Sequence, residues 1–392
     1  MRSIKDELKL KQKKILLRLD LNVPLDNEKI TDTTRIDKIL PTINFLLKNE
    51  AKIIILSHVG RPKGRIINGL SLKPVCENLK KKLNENIKLI TKNLKEIDSN
   101  DLFDSHNEKI IMLENLRFYQ EEEENNNEFA KRLASLADIY VNDAFSCSHR
   151  AHTSIVEITK FLPSYAGLQL NLEIDALTKI TSEIKRPITC IIGGSKISTK
   201  INIIKNLIPK FNNIVIVGGM ANNILKYKGF NIGKSIQEAN CDQVIEEIFS
   251  LSEKNNCKIV YPEDVAVGKD LNGSAKIKDA SKVSENELIL DIGPKTIQTV
   301  NKLIEKSETI LWNGPAGYFE NPNFAKGSLE IANKIVEKNK SNTIYSVAGG
   351  GDTVALLNGI GVISNFNFVS TAGGAFLEYL EGKKLPGIKV LN

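Results

Sequence analysis

ITCIIGGSKISTK, residues 188–200, holds the pattern that decides the fold. Its first five residues, ITCII at 188–192, are continuously apolar, as in a strand buried on both faces of a parallel sheet. A Gly-Gly turn follows, and helical spacing takes over at 197–208. The same unit recurs outward in both directions. Later in the chain stand NIVIV at 213–217, KIVY at 258–261, TILW at 309–312, TIYSV at 343–347 and FNFVS at 366–370. Earlier stand ILLRL at 15–19, KIIIL at 52–56, IKLI at 87–90, KIIML at 109–113 and DIYV at 138–141. Helical spacing falls between them at 36–50, 72–84, 127–137, 219–228, 242–254, 323–339 and 374–381.

This alternation predicts an α/β fold of two doubly wound parallel-sheet (Rossmann-like) domains. LQLNLEIDALTKITSEIK at 168–185 lies between the halves and is expected to form an interdomain helix. The acidic, Asn-rich EEEENNNE at 121–128 is expected to be a surface loop.

The 392 residues, 41% hydrophobic and 26% charged, carry enough apolar mass for two cores. No apolar run approaches the ~18 residues that span a bilayer. MRSIKDELKLKQKK at the amino terminus lacks the apolar core of a signal peptide. A soluble, cytoplasmic protein without a membrane partner is expected. Five scattered cysteines without a CxxC pair speak against a disulfide framework or a zinc site. Four histidines without helix-spaced carboxylates speak against a catalytic transition metal.

A net charge of +7 admits nucleic acid, a membrane surface or small anions as partners. Eight tyrosines and one tryptophan form no aromatic-basic stripe, which sets nucleic acid behind small anions. All nine arginines lie within residues 1–186, whereas 21 of the 25 glycines follow residue 186. Arginine offers a planar fork to phosphate and carboxylate, and glycine lets backbone amides approach phosphate closely. The two halves therefore look built to hold different anions by different means.

Ligands of open α/β sheets bind beyond the carboxyl ends of the strands. In the first half those ends carry Asp20 and Asn22, His58 and Arg61, Arg117, and then Asn142, Asp143, His149 and Arg150. Arg35 sits in TDTTR, which opens a helix. Four arginines and a histidine at one sheet edge suit a phosphorylated carboxylic acid. In the second half the ends are glycine-rich: IIGGSKISTK, VGGMANN, LDIGPKT, WNGPAGYFE, AGGGDT and STAGGA. Such turns offer free N–H groups and a helix dipole to phosphate. Lys196 and Lys200 are four apart and are expected on one helix face. Asp352 is placed for magnesium and Glu320 for a ribose hydroxyl. GFNIGKS at 229–235 has three residues between its glycines where a P-loop needs four, and is expected to be a loop. There is no GxGxxG, which sets a nicotinamide dehydrogenase behind a kinase. A kinase for another small carboxylate and a non-catalytic nucleotide-binding protein stay open as alternatives.

RLDLNVP, ITDTTRI, LSHVGRPKG, LENLRFY, VNDAF with HRAH, GGSKIST, GGMA, DIGPKT, WNGP, GGGDT and GGAFLEYLEGKKLPG together resemble the phosphoglycerate kinase family, in the right order over the whole chain. The resemblance implies reversible, magnesium-dependent phosphoryl transfer between 1,3-bisphosphoglycerate and ADP, by direct in-line transfer with hinge closure. No segment resembles a dedicated association helix, so a monomer is expected. The resemblance also implies that residues 1–167, completed by 383–392, bind 3-phosphoglycerate through Asp20, Asn22, Arg35, His58, Arg61, Arg117 and Arg150. It further implies that 168–185 is the hinge helix and that 186–382 binds Mg-ATP or Mg-ADP. Lys200, Asn313, Glu320, Gly350, Gly351, Asp352 and Thr353 match its nucleotide positions, with Asp352 as the metal ligand. Arg35, Lys196, Gly373 and Gly374 match its catalytic positions. The chain departs from the family pattern in SCSHRAH, at Ala316 and Tyr318, and at Ile289 and Ala372, which stand where glycine is usual. The last two are expected to alter the fit of the nucleotide.

Overall fold

The apolar runs are rich in branched side chains and interrupted by few charges, so as strands they need cover on both faces. The structure, a computed structural model that describes residues 1–99, 102–103 and 108–392, meets that need twice. The chain divides into two units, Met1–Asp175 with Lys384–Asn392, and Ala176–Lys383.

The first unit runs β1 (Lys14–Leu19), a short hairpin of β2 (Leu25–Asp26) and β3 (Lys29–Ile30), α1 (Thr34–Lys48), β4 (Lys52–Leu56), α2 (Lys73–Leu83), β5 (Ile87–Ile90) and β6 (Ile110–Leu113). It continues with α3 (Gln120–Glu123), α4 (Asn127–Ala134), β7 (Ile139–Asp143), β8 (Ser164–Ala166) and the start of α5 (Leu168–Thr181). Six strands pair in the order β5-β6-β4-β1-β7-β8, every pairing parallel. Successive side chains of a strand point to opposite faces. Ile15, Leu17, Ile53 and Ile55 accordingly join Ile36, Ile39 and Ile43 of α1 and Val75 and Leu79 of α2. Leu16, Ile54 and Leu56 join Phe129 and Leu133 of α4 on the other face. Residues 384–392 return to this unit through a helical turn at Pro386–Lys389, where the Gly387 amide donates to the Ser148 carbonyl at 2.9 Å.

The second unit takes the rest of α5, then β9 (Ile188–Ile192), α6 (Ile201–Leu207), β10 (Asn213–Ile216), α7 (Gly219–Tyr227), α8 (Asp242–Lys254) and β11 (Lys258–Val260). There follow β12 (Asp264–Gly268), β13 (Lys276–Asp279), β14 (Leu288–Ile292), α9 (Pro294–Lys306), β15 (Thr309–Asn313), α10 (Lys326–Lys340), β16 (Tyr345–Gly349), α11 (Gly351–Gly359), β17 (Phe368–Ser370) and α12 (Gly374–Leu380). The parallel order is β11-β10-β9-β15-β16-β17. Trp312 is fully buried in a core shared with Ile191, Val215, Ile297, Ile331 and Leu357.

Three expectations need correcting. Residues 121–128 are no surface loop: they hold the end of α3 and the start of α4, and Glu122 is fully buried. Two hydrogen bonds from Ser154 compensate that carboxylate for its lost water. The helix from Leu168 stops at Thr181, because the Ser182 and Glu183 amides both donate to the Thr178 carbonyl and close it. Residues 197–200 are not helical, since α6 begins only at Ile201. The antiparallel sheet β13-β12-β14 and helices α9 and α11 also lie outside the expected elements. Residues 229–235 form a loop, and no described helix is long and apolar enough to cross a membrane.

Candidate functional site

In the first unit Asp20 and Asn22 follow β1, and the arginines that the sequence singles out follow β4, β6 and β7 or, for Arg35, stand in the first turn of α1. Parallel pairing puts these strand ends on one edge. A hydrogen-bonded chain links five residues there. Arg35 Nη1 donates to Asp20 Oδ1 at 3.2 Å and to the Asn22 carbonyl at 2.9 Å. Asn22 Oδ1 accepts from the Gly60 amide at 2.9 Å, and the Gly60 carbonyl accepts from Arg117 Nη1 at 2.9 Å. Gly60 has φ +65°, a backbone shape that glycine adopts without strain. Arg117 is buried, with its Nε 3.5 Å from Glu123. Arg150 Nε lies 3.2 Å from His149 Nε2, and Arg61 is exposed; neither joins the chain from Arg35 to Arg117 through a described bond.

His58 is buried beneath this edge, and Arg18 Nη2 lies 2.8 Å from its Nδ1. Burial pushes the His58 pKa well below the ordinary histidine value, and the charges of Arg18, Arg117 and Arg35 push the same way. The ring is neutral at physiological pH. Burial and the charges of Arg117, Arg18 and Arg150 hold His152 down at about 3. Asp143, at the end of β7, faces away from this chemistry. Its carboxylate accepts from Thr42 Oγ1 at 2.5 Å and from the Leu170 amide at 2.8 Å, pinning α1 to the start of α5.

Arg18, Ser154 and Glu122 are the residues that sequence reasoning missed. Arg18 lies within an apolar strand, and Glu122 is one of four consecutive glutamates. The only local signal was a charge inside the otherwise apolar ILLRL.

In the second unit the glycine turns bring backbones within touching distance. A Cβ on Gly193 would stand 2.2 Å from the Pro315 carbonyl oxygen, so the ends of β9 and β15 meet there only as bare backbone. Lys200 Nζ donates to the Gly193 carbonyl at 2.8 Å and to Asn313 Oδ1. Asn313 Nδ2 donates to the Gly349 carbonyl at 2.6 Å, and the Gly314 amide donates to Thr353 Oγ1 at 2.7 Å. Lys200, Asn313 and Thr353 thus tie together the ends of β9, β15 and β16. Burial lowers the Lys200 pKa to about 8. Lys196 is exposed and precedes α6, so the shared helix face expected of the two lysines is not formed.

Beside this junction lies a cleft of about 250 Å³ with a largely apolar wall of Ile236, Leu271, Leu288, Ile289 and Phe319. Glu320 and Asp352 line its rim. Asp291, also in its wall, is raised by burial to about 7 while accepting from the Gly327 and Ile292 amides. Ala372 has none of the left-handed backbone that would demand glycine. Gly373, with φ +57°, caps α12 and precedes Gly374. Among the described residues no group of three or more His, Cys, Asp or Glu side chains is arranged to hold a metal. Asp352 stands in the first turn of α11, and one carboxylate suits magnesium, which takes its other ligands from phosphates and water.

The chain matches known proteins over nearly its whole length. Residues 5–383 match the family model described as phosphoglycerate kinase. It is similar to a phosphoglycerate kinase of Wolbachia pipientis wMel, 46% identical over 98% of this chain and 96% of that one. It is similar to one of Maricaulis maris, 42% identical over 96% and 94%. Among solved structures it resembles phosphoglycerate kinase from Coxiella burnetii, with TM-score 0.90 and 39% identity over 99% of this chain and 98% of that one. It also resembles the enzyme from Pyrococcus horikoshii OT3, with TM-score 0.83 and 27% identity over 100% and 98%.

Proposed function

We infer the function from one premise: the chain belongs to the phosphoglycerate kinase family. It is a phosphotransferase with a carboxyl group as acceptor, and it moves a phosphoryl group reversibly between 1,3-bisphosphoglycerate and ADP, yielding 3-phosphoglycerate and ATP in glycolysis. The family match along the full length carries this reading.

We assign 3-phosphoglycerate to the first unit, held by Asp20, Asn22, Arg35, His58, Arg61, Arg117 and Arg150. The linked chain from Arg35 to Arg117 supports this, because it fixes two guanidinium groups on one strand edge. We assign Mg-ADP or Mg-ATP to the second unit. Its base would lie against the apolar wall, with Glu320 at the ribose and Lys200, Asn313, Gly350, Gly351, Asp352 and Thr353 about the phosphates. The magnesium held by Asp352 would neutralise phosphate charge. The proposal takes the enzyme to act as a cytoplasmic monomer, without nucleic acid or membrane as partner.

The chemistry asks little of a general base. In ATP synthesis a β-phosphate oxygen of ADP forms a bond to phosphorus as the acyl oxygen leaves as carboxylate, a good leaving group. What must be supplied is alignment and compensation of charge on the transferring oxygens. Arg35 would approach that group from one side. Lys196 and the backbone at Gly373 and Gly374 would approach from the other. Acyl phosphates hydrolyse readily, so the two ligands must meet with water excluded, which requires the units to close.

ATP-dependent phosphorylation of 3-phosphoglycerate, coupled to NADH oxidation through glyceraldehyde-3-phosphate dehydrogenase, tests the assignment. Turnover that collapses in Arg35→Ala and Lys196→Ala is expected. Full activity in both folded variants would overturn the assigned roles.

A further inference from the structure

Arg18 is fully buried one residue before the end of β1, between Leu17 and Leu19. An ionised group in such a place is costly unless its N–H groups find partners. Nε donates to Ser154 Oγ at 2.9 Å, and Nη1 donates to the Leu19 carbonyl. Nη2 lies 2.8 Å from His58 Nδ1 and 3.7 Å from Cys147 Sγ. Ser154 in turn passes its hydroxyl hydrogen to Glu122 Oε1 at 2.6 Å, and its amide donates to Glu122 Oε2 at 3.0 Å. Arg18, Ser154, Glu122 and His58 are all buried.

The donor inventory gives this chain a direction. A guanidinium has five N–H donors and no acceptor, and it does not deprotonate in proteins. Its contact with His58 Nδ1 therefore needs a lone pair on that nitrogen. The ring then carries its one hydrogen on Nε2. Ser154 accepts from Arg18 Nε and commits its own hydrogen to Glu122 Oε1. We propose that Glu122, Ser154 and Arg18 form a positioning chain that holds His58 as the neutral Nε2–H tautomer. For its catalytic meaning this rests on the reading of His58 as a substrate-binding group: a fixed donor suits a carboxylate or hydroxyl of the ligand.

The charged groups around the ring agree with it. Arg18 on β1, Arg117 beyond β6 and Arg35 on α1 all disfavour an imidazolium, while the neighbouring His152 is itself uncharged in this range. Glu122, the acidic member of the cluster, stands behind Ser154 and 4.0 Å from His152 Nδ1. His58 is thereby kept from the titration that an unperturbed histidine undergoes between about pH 5 and 8.

Ring nitrogen NMR on the ¹⁵N-histidine-labelled full chain without ligand tests the tautomer directly. The expected spectrum has His58 protonated on Nε2 alone, unchanged over that pH range. A ring protonated on Nδ1, or one that becomes imidazolium within the range, would overturn the proposal. Arg18→Met removes the donor that reserves the Nδ1 lone pair, so an Nδ1–H form should appear in the spectrum and the KM for 3-phosphoglycerate should rise, while burial keeps the ring uncharged. Should Arg18→Met fail to fold, Ser154→Ala removes the hydroxyl that joins Arg18 Nε to Glu122 Oε1 and leaves the guanidinium in place. It should raise that KM by about 2–10-fold, the worth of one hydrogen bond, and more than it lowers kcat. An unchanged KM and an unchanged tautomer in a folded variant would overturn the chain. Adding 3-phosphoglycerate separates the two readings. An Nε2–H signal of the expected tautomer that does not respond to it supports the positioning chain and counts against His58 as a substrate ligand.

Discussion

Arg35 Nη1 lies 3.2 Å from Asp20 Oδ1, so the direction of the guanidinium is set by the end of β1 as well as by the first turn of α1. The pair is partly exposed, and its energy is modest. Its effect is on aim. Arg35→Ala is expected to lower kcat by about 10²–10³-fold, the loss typical of a donor to a transition-state oxygen. Asp20→Asn keeps the shape but not the charge, and should chiefly raise the KM for 3-phosphoglycerate. Steady-state kinetics in the coupled assay distinguishes them, and an Asp20→Asn enzyme with unaltered constants would remove Asp20 from the site.

Lys200 is expected to titrate near 8, against 10.5 for an ordinary lysine. The folded chain then binds fewer protons than the unfolded chain between those values, so stability should rise with pH across that window. Phosphate beside the ammonium would favour the charged form. Nucleotide binding near pH 8.5 should accordingly take up a fraction of one proton, at most about three-quarters. Calorimetry in buffers of different ionisation enthalpy measures the uptake, which Lys200→Met should abolish.

Gly350 has φ +99°, and a Cβ there would stand 2.6 Å from Asn313 Nδ2. Gly350→Ala should cost about 1–3 kcal/mol by urea denaturation. It should also weaken ADP binding, because Asn313 would be pushed off the Gly349 carbonyl. Gly351→Ala is the contrast. Nothing lies within 4 Å of its added Cβ, and its stability should stay within about 0.5 kcal/mol of wild type. Equal losses in the two variants would contradict the steric account.

Ile289 lines the apolar cleft and also packs against the cluster around Ile232 and Val265. Its amide donates to Ser235 Oγ at 2.8 Å, a bond that does not depend on the side chain. Ile289→Ala should therefore raise the KM for ADP by about 3–10-fold through lost apolar contact, with a smaller change in kcat.

Phosphoryl transfer between ligands on separate units demands closure. Small-angle scattering should show compaction with 3-phosphoglycerate and a non-hydrolysable ATP analogue together, exceeding that with either alone. No change with both would leave the proposed transfer without a route.

The parallel sheets were legible because burial on both faces leaves a simple trace: short runs such as KIIIL and ITCII with few polar interruptions. The antiparallel sheet left no such trace. β13, KIKD, carries three charges in four residues and buries none of them fully, and no run of apolar residues announces it. Strand-end residues such as Asp20, Asn22 and Arg117 were legible because topology assigns strand ends to ligands. Arg18 and Glu122 were not. One interrupts an apolar run and the other hides among identical neighbours, and only their meeting through Ser154, far along the chain, explains either. The helical spacing of Lys196 and Lys200 misled for a related reason. Lys200 reaches back to the Gly193 carbonyl, and the helix starts after it.

The return of residues 384–392 to the first unit has a consequence for the order of synthesis. The Gly387 amide and the Leu391 carbonyl bond to Ser148 and Arg2, and a Cβ on Gly387 would press within 2.6 Å of Ile155. These last pieces leave the ribosome only after all of Ala176–Lys383. At 5–20 residues per second, that interval lasts roughly 10–40 s. The first unit must wait for it with the seat around Ser148 and Ile155 uncovered, while the second unit can close around its own core. The half that begins first is the half that finishes last.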